Sequence, residues 1–229
     1  MDRAGPADPE ASSAVAGRIG PMLKGSFLDE FTEIHWMDCF RIQGGQRLAG
    51  SMKVEGSKNA SLPLMAAALL ADGPIDLHGV PELSDTRNMI RLLAELGLEI
   101  DESEPGRLRF RTLDPTAVHA RYDIVRTMRA SICVLGPLLA RRRKAIVSMP
   151  GGCAFGARPV DLHLRGLEAL GAKVRLDGGD IHCEADRLKG TTIFLGGPYG
   201  STVLGTANVM SAATVAEGTT VFESAACEP

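Results

Sequence analysis

Two stretches of this chain carry one pattern. Residues 93–100 (Leu-Ala-Glu-Leu-Gly-Leu-Glu-Ile) and 167–174 (Leu-Glu-Ala-Leu-Gly-Ala-Lys-Val) each end a helix on a glycine and pass at once into a strand. Self-similarity of this kind restricts the fold, because one such unit cannot bury its apolar face alone and stacked copies must share a core. The first copy predicts a strand over 51–56 and a helix over 58–72 stopped by Gly73-Pro74. A strand over 75–81 follows, then an amphipathic helix over 84–96 with Met89, Leu92, Leu93 and Leu96 on one face. Residues 98–100 and 108–110 read as a hairpin around Glu104-Pro105-Gly106.

The same order recurs. A helix over 125–140, a strand over 145–149, a helix over 161–170 and a hairpin of 173–176 with 180–183 around Gly178-Gly179 form the second copy. A third starts with a strand over 191–195, a helix over 206–215 and a strand over 219–223, with Ala216-Glu217-Gly218 mirroring Ala71-Asp72-Gly73. It lacks a second helix and hairpin, so the chain reads as truncated inside a repeat, with an unpaired sheet edge and apolar faces near Val209, Met210 and Val221. The expected class is α/β, built of βαβαββ repeats at about 47–113, 118–186 and 187–229, the last incomplete. Residues 1–36 are small, polar and proline-bearing; they read as a disordered or non-native extension, with a short helix over 26–36 and Met37 as an alternative start.

Between the second copy's first strand-helix pair and its second helix lies Pro150-Gly151-Gly152-Cys153-Ala154-Phe155-Gly156-Ala157-Arg158-Pro159-Val160-Asp161-Leu162-His163. The glycines permit a loop that closes on a ligand, and Arg158 favours the thiolate of Cys153, the reactive form of a cysteine. Asp161 is expected to cap the following helix. Other clusters read as structural. Cys153 and His163, ten residues apart, match no recognised dyad of a Cys–His hydrolase, and His182-Cys183 lacks the converging ligands of a metal site. The basic run 141–144 reads as a solvated cap complementing a helix dipole.

Composition narrows the classes further. A net charge of −3 argues against general nucleic-acid binding, and one Trp with two Tyr leaves little for base stacking. Five widely spaced cysteines without a CxxC pair suit reduced thiols in a cytoplasmic protein. No apolar run reaches the ~18 residues of a membrane helix.

The repeats and three motifs resemble the enolpyruvyl transferase family, on the branch that acts on UDP-N-acetylglucosamine. The motifs are Gly56-Ser57-Lys58-Asn59-Ala60, Thr127-Met128-Arg129-Ala130-Ser131 and the cysteine loop, with Ala216-Glu217-Gly218-Thr219-Thr220 in support. The resemblance covers about residues 40–229. It implies an inside-out α/β barrel in two lobes with the active site in the cleft, and a complete family chain of roughly twice this length. It implies transfer of the enolpyruvyl group of phosphoenolpyruvate to the 3-hydroxyl of UDP-N-acetylglucosamine, with release of phosphate, in peptidoglycan precursor synthesis. Neither cofactor nor metal is implied, nor a nucleic-acid, membrane or obligate protein partner.

By the same resemblance, Lys58 and Asn59 bind phosphoenolpyruvate. Lys58 stands at a helix start, where free N–H groups and the dipole favour an anion. Arg129 lines the sugar-nucleotide site, and Arg158, Pro159, Val160, Asp161 and Leu162 grip the nucleotide and the phosphate. Cys153 delivers a proton to the enol methylene, adds covalently to phosphoenolpyruvate and is the target of fosfomycin. Ser201, Thr202 and Val203 transfer as substrate contacts from the family's phosphate-contacting loop, although that loop is altered and longer here, has no lysine where many members carry one, and has Leu204 where a glycine is common. The family's aspartate base would lie in the absent lobe, so no phosphate release is expected of this chain by itself.

Overall fold

The computed structural model describes residues 44, 45, 47, 49–150, 160–198 and 200–227. The chain divides into two compact units, Met1–Met52 and Lys53–Pro229. The described residues of the first form neither helix nor strand, and the expectations for residues 1–36 lie outside the described residues.

The second unit places helices inside and sheets outside. β1 (Ile75–His78), β2 (Leu98–Asp101) and β3 (Arg107–Thr112) form a sheet in the order β1-β3-β2, antiparallel throughout. β4 (His119–Ala120), β5 (Lys144–Ser148), β6 (Lys173–Asp177) and β7 (Asp180–Glu184) form a second, in the order β4-β5-β7-β6. There β4 runs parallel to β5 and the other pairs are antiparallel. The alternation of each strand decides its orientation. Leu108 and Phe110 of β3, Ala145 and Val147 of β5, and Ile181 and Cys183 of β7 are buried, while Arg109, Arg111 and Lys144 face water. Each sheet therefore has one dry and one wet face, and the dry faces rest on helices.

Those helices are α1 (Lys58–Ala67), α2 (Ser84–Glu95), the short α3 (Tyr122–Val125), α4 (Leu135–Arg142), α5 (Asp161–Ala169) and α6 (Val203–Ala213). α6 packs on α4, α5 and α1. Leu135, Gly136, Pro137, Leu138 and Leu139 of α4 are all buried, as expected of a helix enclosed by protein. Residues 191–223 contribute β8 (Thr192–Phe194), parallel to β11 (Val221–Glu223), and a small hairpin of β9 (Gly196–Gly197) and β10 (Gly200–Ser201).

The internal repeat is present in three dimensions. Leu93 and Leu167, Leu96 and Leu170, and Leu98 and Ala172 are all buried in corresponding places. Gly97 and Gly171 have φ of 83° and 99°, the left-handed conformation that ends a helix and that glycine adopts without steric cost. At the second hairpin Gly178 and Gly179 both have positive φ (59° and 90°), which a tight two-residue turn demands.

Several expectations are corrected. Residues 51–56 form no strand: all six are exposed, and Met52 and Val54 alternate over no apolar surface. The helix expected over 125–140 is broken into α3, a tight 3-10 stretch Arg129–Val134, and α4. Pro137 has no N–H to bond the Cys133 carbonyl, and Met128 is extended, so one continuous helix cannot form. The third helix starts at Val203, three residues early, because Thr202 caps it by accepting the Gly205 N–H at 3.1 Å. Asp161 is not the cap of α5 but its first residue, where its charge still complements the dipole; Val160 occupies the cap position without a side-chain bond. The basic run is not fully solvated. Arg142 is half-buried and bonds the Ala117 carbonyl, and Arg141 pairs with Asp72. Val209 is buried rather than left on an open face, whereas Met210 and Val221 are exposed.

Val209 is buried against Gly166 of α5. A Cβ at Gly166 would lie 2.5 Å and 2.9 Å from the two Val209 methyls, and β-branched valine has little rotamer freedom to yield. Gly166→Ala is therefore expected to destabilise the chain by about 1–3 kcal/mol, the usual range for overpacking. Val209→Ala in the same chain should recover part of that loss. Urea unfolding midpoints measure both; a Gly166→Ala chain as stable as the parent would contradict the close approach of α5 and α6.

Candidate functional site

The described candidate residues gather at helix starts. Lys58 and Asn59 open α1, Arg129 opens the 3-10 stretch, Asp161 and Leu162 open α5 behind Val160, and Ser201 and Thr202 lead into Val203 of α6. Helix starts leave backbone N–H groups without internal partners and carry the positive end of the dipole. The sequence fixes these starts locally. Ser57 caps α1 by accepting the Ala60 N–H at 3.3 Å and receives the Ser61 hydroxyl on its carbonyl at 2.8 Å. Gly56 lies so close to the Gly79 carbonyl oxygen that no side chain fits there, which holds the approach to Lys58 against the end of β1. Cys153, Arg158 and Pro159 lie outside the described residues.

One buried side chain joins three of these segments. Asn208 of α6 is 1% exposed. The Gly136 N–H can only donate, so the atom 2.6 Å from it is the amide oxygen, Oδ1. Nδ2 then donates to the Ile132 carbonyl at 3.1 Å and to His163 Nδ1 at 3.0 Å. Ile132 and Gly136 are four residues apart, the spacing of one helical hydrogen bond. The carboxamide of Asn208 thus inserts into the ladder between the 3-10 stretch and α4 and replaces that bond with two of its own. Its remaining donor fixes His163 as the neutral tautomer with the proton on Nε2.

His163 is 3% exposed. Burial first, and the Arg129 charge second, push its imidazole down to about 4, against the opposing charge of Asp161. An imidazole so held is a poor base at neutral pH. Arg129 and Asp161 act on the same ring, so the described residues bring the Arg129 and Val160–Leu162 segments together. The β9–β10 hairpin meets them too: a Cβ at Gly197 would touch Leu162 at 3.3 Å, which sets Ser201–Val203 beside α5. Lys58 instead directs its ammonium to Asp85 of α2, 2.9 Å away.

Burial pushes the thiols of Cys133 and Cys183 up to about 12, so neither is a nucleophile at neutral pH. Among the described residues no three His, Cys, Asp or Glu side chains converge as a metal site, and no helix is long and apolar enough to cross a membrane. Sequence reasoning missed Asn208 and Asp85. The signal for Asn208 was a lone amide among Leu204, Val209, Met210 and Ala212; nothing local marked Asp85.

Comparison with known proteins places this arrangement in a family. The family model described as EPSP synthase (3-phosphoshikimate 1-carboxyvinyltransferase) matches residues 42–229. The chain belongs to the EPSP synthase family. Its relatives include proteins named UDP-N-acetylglucosamine 1-carboxyvinyltransferase: one from Akkermansia muciniphila, 49% identical over 195 residues, and one from Methylacidiphilum infernorum, 51% identical over 195 residues. Each alignment covers 84% of this chain and 45% of the relative, so the chain spans about half the length of the relatives it matches. Two solved structures share the fold. The enolpyruvyl transferase NikO from Streptomyces tendae matches with a TM-score of 0.68 at 22% identity, over 82% of this chain and 44% of that one. EPSP synthase from Acinetobacter baumannii matches with a TM-score of 0.60 at 19% identity, over 79% and 41%. The inside-out α/β class thus holds, and the family is one of carboxyvinyl transferases.

The buried imidazole sets a pH dependence. His163 is neutral in the fold with a pKa near 4, below the unfolded value of about 6.5. The unfolded state therefore takes up the proton first. The contribution is fully present above about pH 6.5, falls as pH drops through 6.5 towards 4, and reaches on the order of 3 kcal/mol. Replacing Asn208 by Asp sets a carboxylate against the ring and should raise the imidazole pKa, narrowing that window. Chemical denaturation from pH 7 to pH 4, with His163→Gln to isolate the imidazole, measures the slope; an unchanged slope without His163 would contradict the assignment.

Proposed function

We propose that this chain carries part of an enzyme that transfers the enolpyruvyl group of phosphoenolpyruvate to the 3-hydroxyl of UDP-N-acetylglucosamine and releases phosphate. The observation that carries the reading is the 49–51% identity over 195 residues to relatives of that name, with a family match over residues 42–229 that includes the cysteine loop and every helix start described above. The site chemistry supports it. Lys58 and Asn59 meet the phosphoenolpyruvate anion at the start of α1. Arg158 supplies a planar, two-pronged cation for its phosphate. Arg129, Pro159, Val160, Asp161, Leu162, Ser201, Thr202 and Val203 hold the sugar nucleotide. Cys153 gives a proton to the enol methylene; the adjacent carbon becomes electrophilic and accepts the sugar oxygen. The carbon–oxygen bond to phosphate then breaks, phosphate departs with the proton of the sugar hydroxyl, and a methyl proton returns to the Cys153 thiolate, which restores the thiol and the enol ether.

In this reading residues 37–229 form the enolpyruvyl transferase domain, in units of about 47–113, 118–186 and 187–229, with 1–36 as an extension. The setting is cytoplasmic synthesis of peptidoglycan precursor, which supports cell-wall growth, shape and division, and fosfomycin would act at Cys153. No cofactor enters the scheme. The 45% span favours a second reading, a nucleotide-binding lobe without turnover of its own.

Calorimetric titration with UDP-N-acetylglucosamine is expected to show saturable binding. Arg129→Ala should weaken it by roughly 10- to 100-fold, the worth of a charge-assisted hydrogen bond. Phosphate release on adding phosphoenolpyruvate, abolished by Cys153→Ala, would mark the first reading. Saturable binding without release would mark the second, and failure to bind either substrate would contradict both.

A further inference from the structure

Lys58 holds an anion already. Its Nζ lies 2.9 Å from Asp85 Oδ2, with the two side chains 45% and 29% exposed. The partners differ in rigidity. Asp85 stands in the first turn of α2, where the dipole favours a carboxylate. That turn is pinned by Thr86, whose buried hydroxyl accepts the Leu83 N–H at 3.0 Å and lies 2.8 Å from the Pro81 carbonyl oxygen. Lys58 carries its charge on a flexible four-carbon stem, with three donors that rotate freely. The cation can therefore move between partners, while the carboxylate stays. α1 packs on α2, so the exchange needs no movement of either helix.

We infer that Asp85 is the resident counter-anion of Lys58. An incoming anion takes the ammonium over from Asp85, and Asp85 reclaims it when the anion leaves. The inference rests on the reading of Lys58 as the phosphoenolpyruvate-binding cation and extends it to release. A solvent-open ion pair is weak, so the exchange is easily driven by a ligand that brings further contacts. A small lone anion brings few, and it also meets the repulsion of Asp85. Asp85 thus lets phosphoenolpyruvate, with two anionic groups, hold the cation, and helps inorganic phosphate depart.

Titration of the full chain with inorganic phosphate at low salt tests this. Asp85→Asn is expected to bind phosphate about 3- to 10-fold more tightly, the scale of one nearby like charge at a wet surface. Asp85→Glu, which keeps the charge, should bind like the parent. In a Lys58→Met chain phosphate binding should weaken, and adding Asp85→Asn should restore less than 2-fold. The unmutated chain gives a reading independent of any folding defect: phosphate should shift the carboxyl carbon resonance of Asp85 as the ammonium leaves it. Equal or weaker binding by Asp85→Asn, or a carboxyl resonance that does not move, overturns the inference while leaving Lys58 as an anion ligand. Phosphate affinity unaltered by Lys58→Met would instead remove the underlying reading.

Discussion

The packing of the second unit depends on one carboxamide. Asn208 stands where a helical hydrogen bond between Ile132 and Gly136 would otherwise form, and it supplies both halves of that bond from another helix. The exchange is cheap because nothing is left unpaired: the oxygen accepts one N–H, and the two amide protons reach the Ile132 carbonyl and His163. Loss of the side chain would leave a buried N–H and an imidazole nitrogen short of partners, each costing about 1–3 kcal/mol, while the Ile132 carbonyl would keep only the Leu135 N–H. Gly136 is the matching concession on the other side, since a Cβ there would collide with the Asn208 backbone oxygen.

This contact explains how sheet-outside architecture yields a site. Each sheet turns its dry face to the helices, so the helices meet one another in the middle and their starts come together. Asn208 is on α6, His163 on α5, and Ile132 and Gly136 flank the start of α4. The three segments come from the second and third sequence repeats, and each begins with residues read as substrate contacts. Arg129 and Asp161, of opposite sign, both act on the neutral His163 ring that Asn208 holds. Polar satisfaction in the core and placement of charge at the helix starts are thus one arrangement.

Much of the fold was legible because its signals are local. Gly97 and Gly171 closed two helices in matching register, Gly178-Gly179 marked a tight hairpin, and Met89, Leu92 and Leu93 gave α2 its buried stripe. The misreadings came where distant contacts or small backbone effects prevailed. Residues 51–56 alternate like a strand but have no apolar surface to rest on. The run over 125–140 looked like one helix until Pro137 and the inserted Asn208 divided it. Thr202 moved the start of α6 by a cap that spacing alone did not weigh. Among the candidate residues, the motifs located Lys58, Arg129 and Asp161 at helix starts. The partners of two of those segments, Asp85 and Asn208, lie 27 and 45 residues away in sequence, and no local pattern reports such pairings.

Amide hydrogen exchange at Gly136 tests the central interaction most directly. Gly136 is the second residue of α4, and in place of the Ile132 carbonyl its N–H bonds Asn208 Oδ1. Bonded to Asn208 Oδ1 and buried, it should exchange only through opening of the whole unit, with protection equal to that of the slowest core amides. Exchange at the rate of a frayed helix start would show that Asn208 does not hold the segments together.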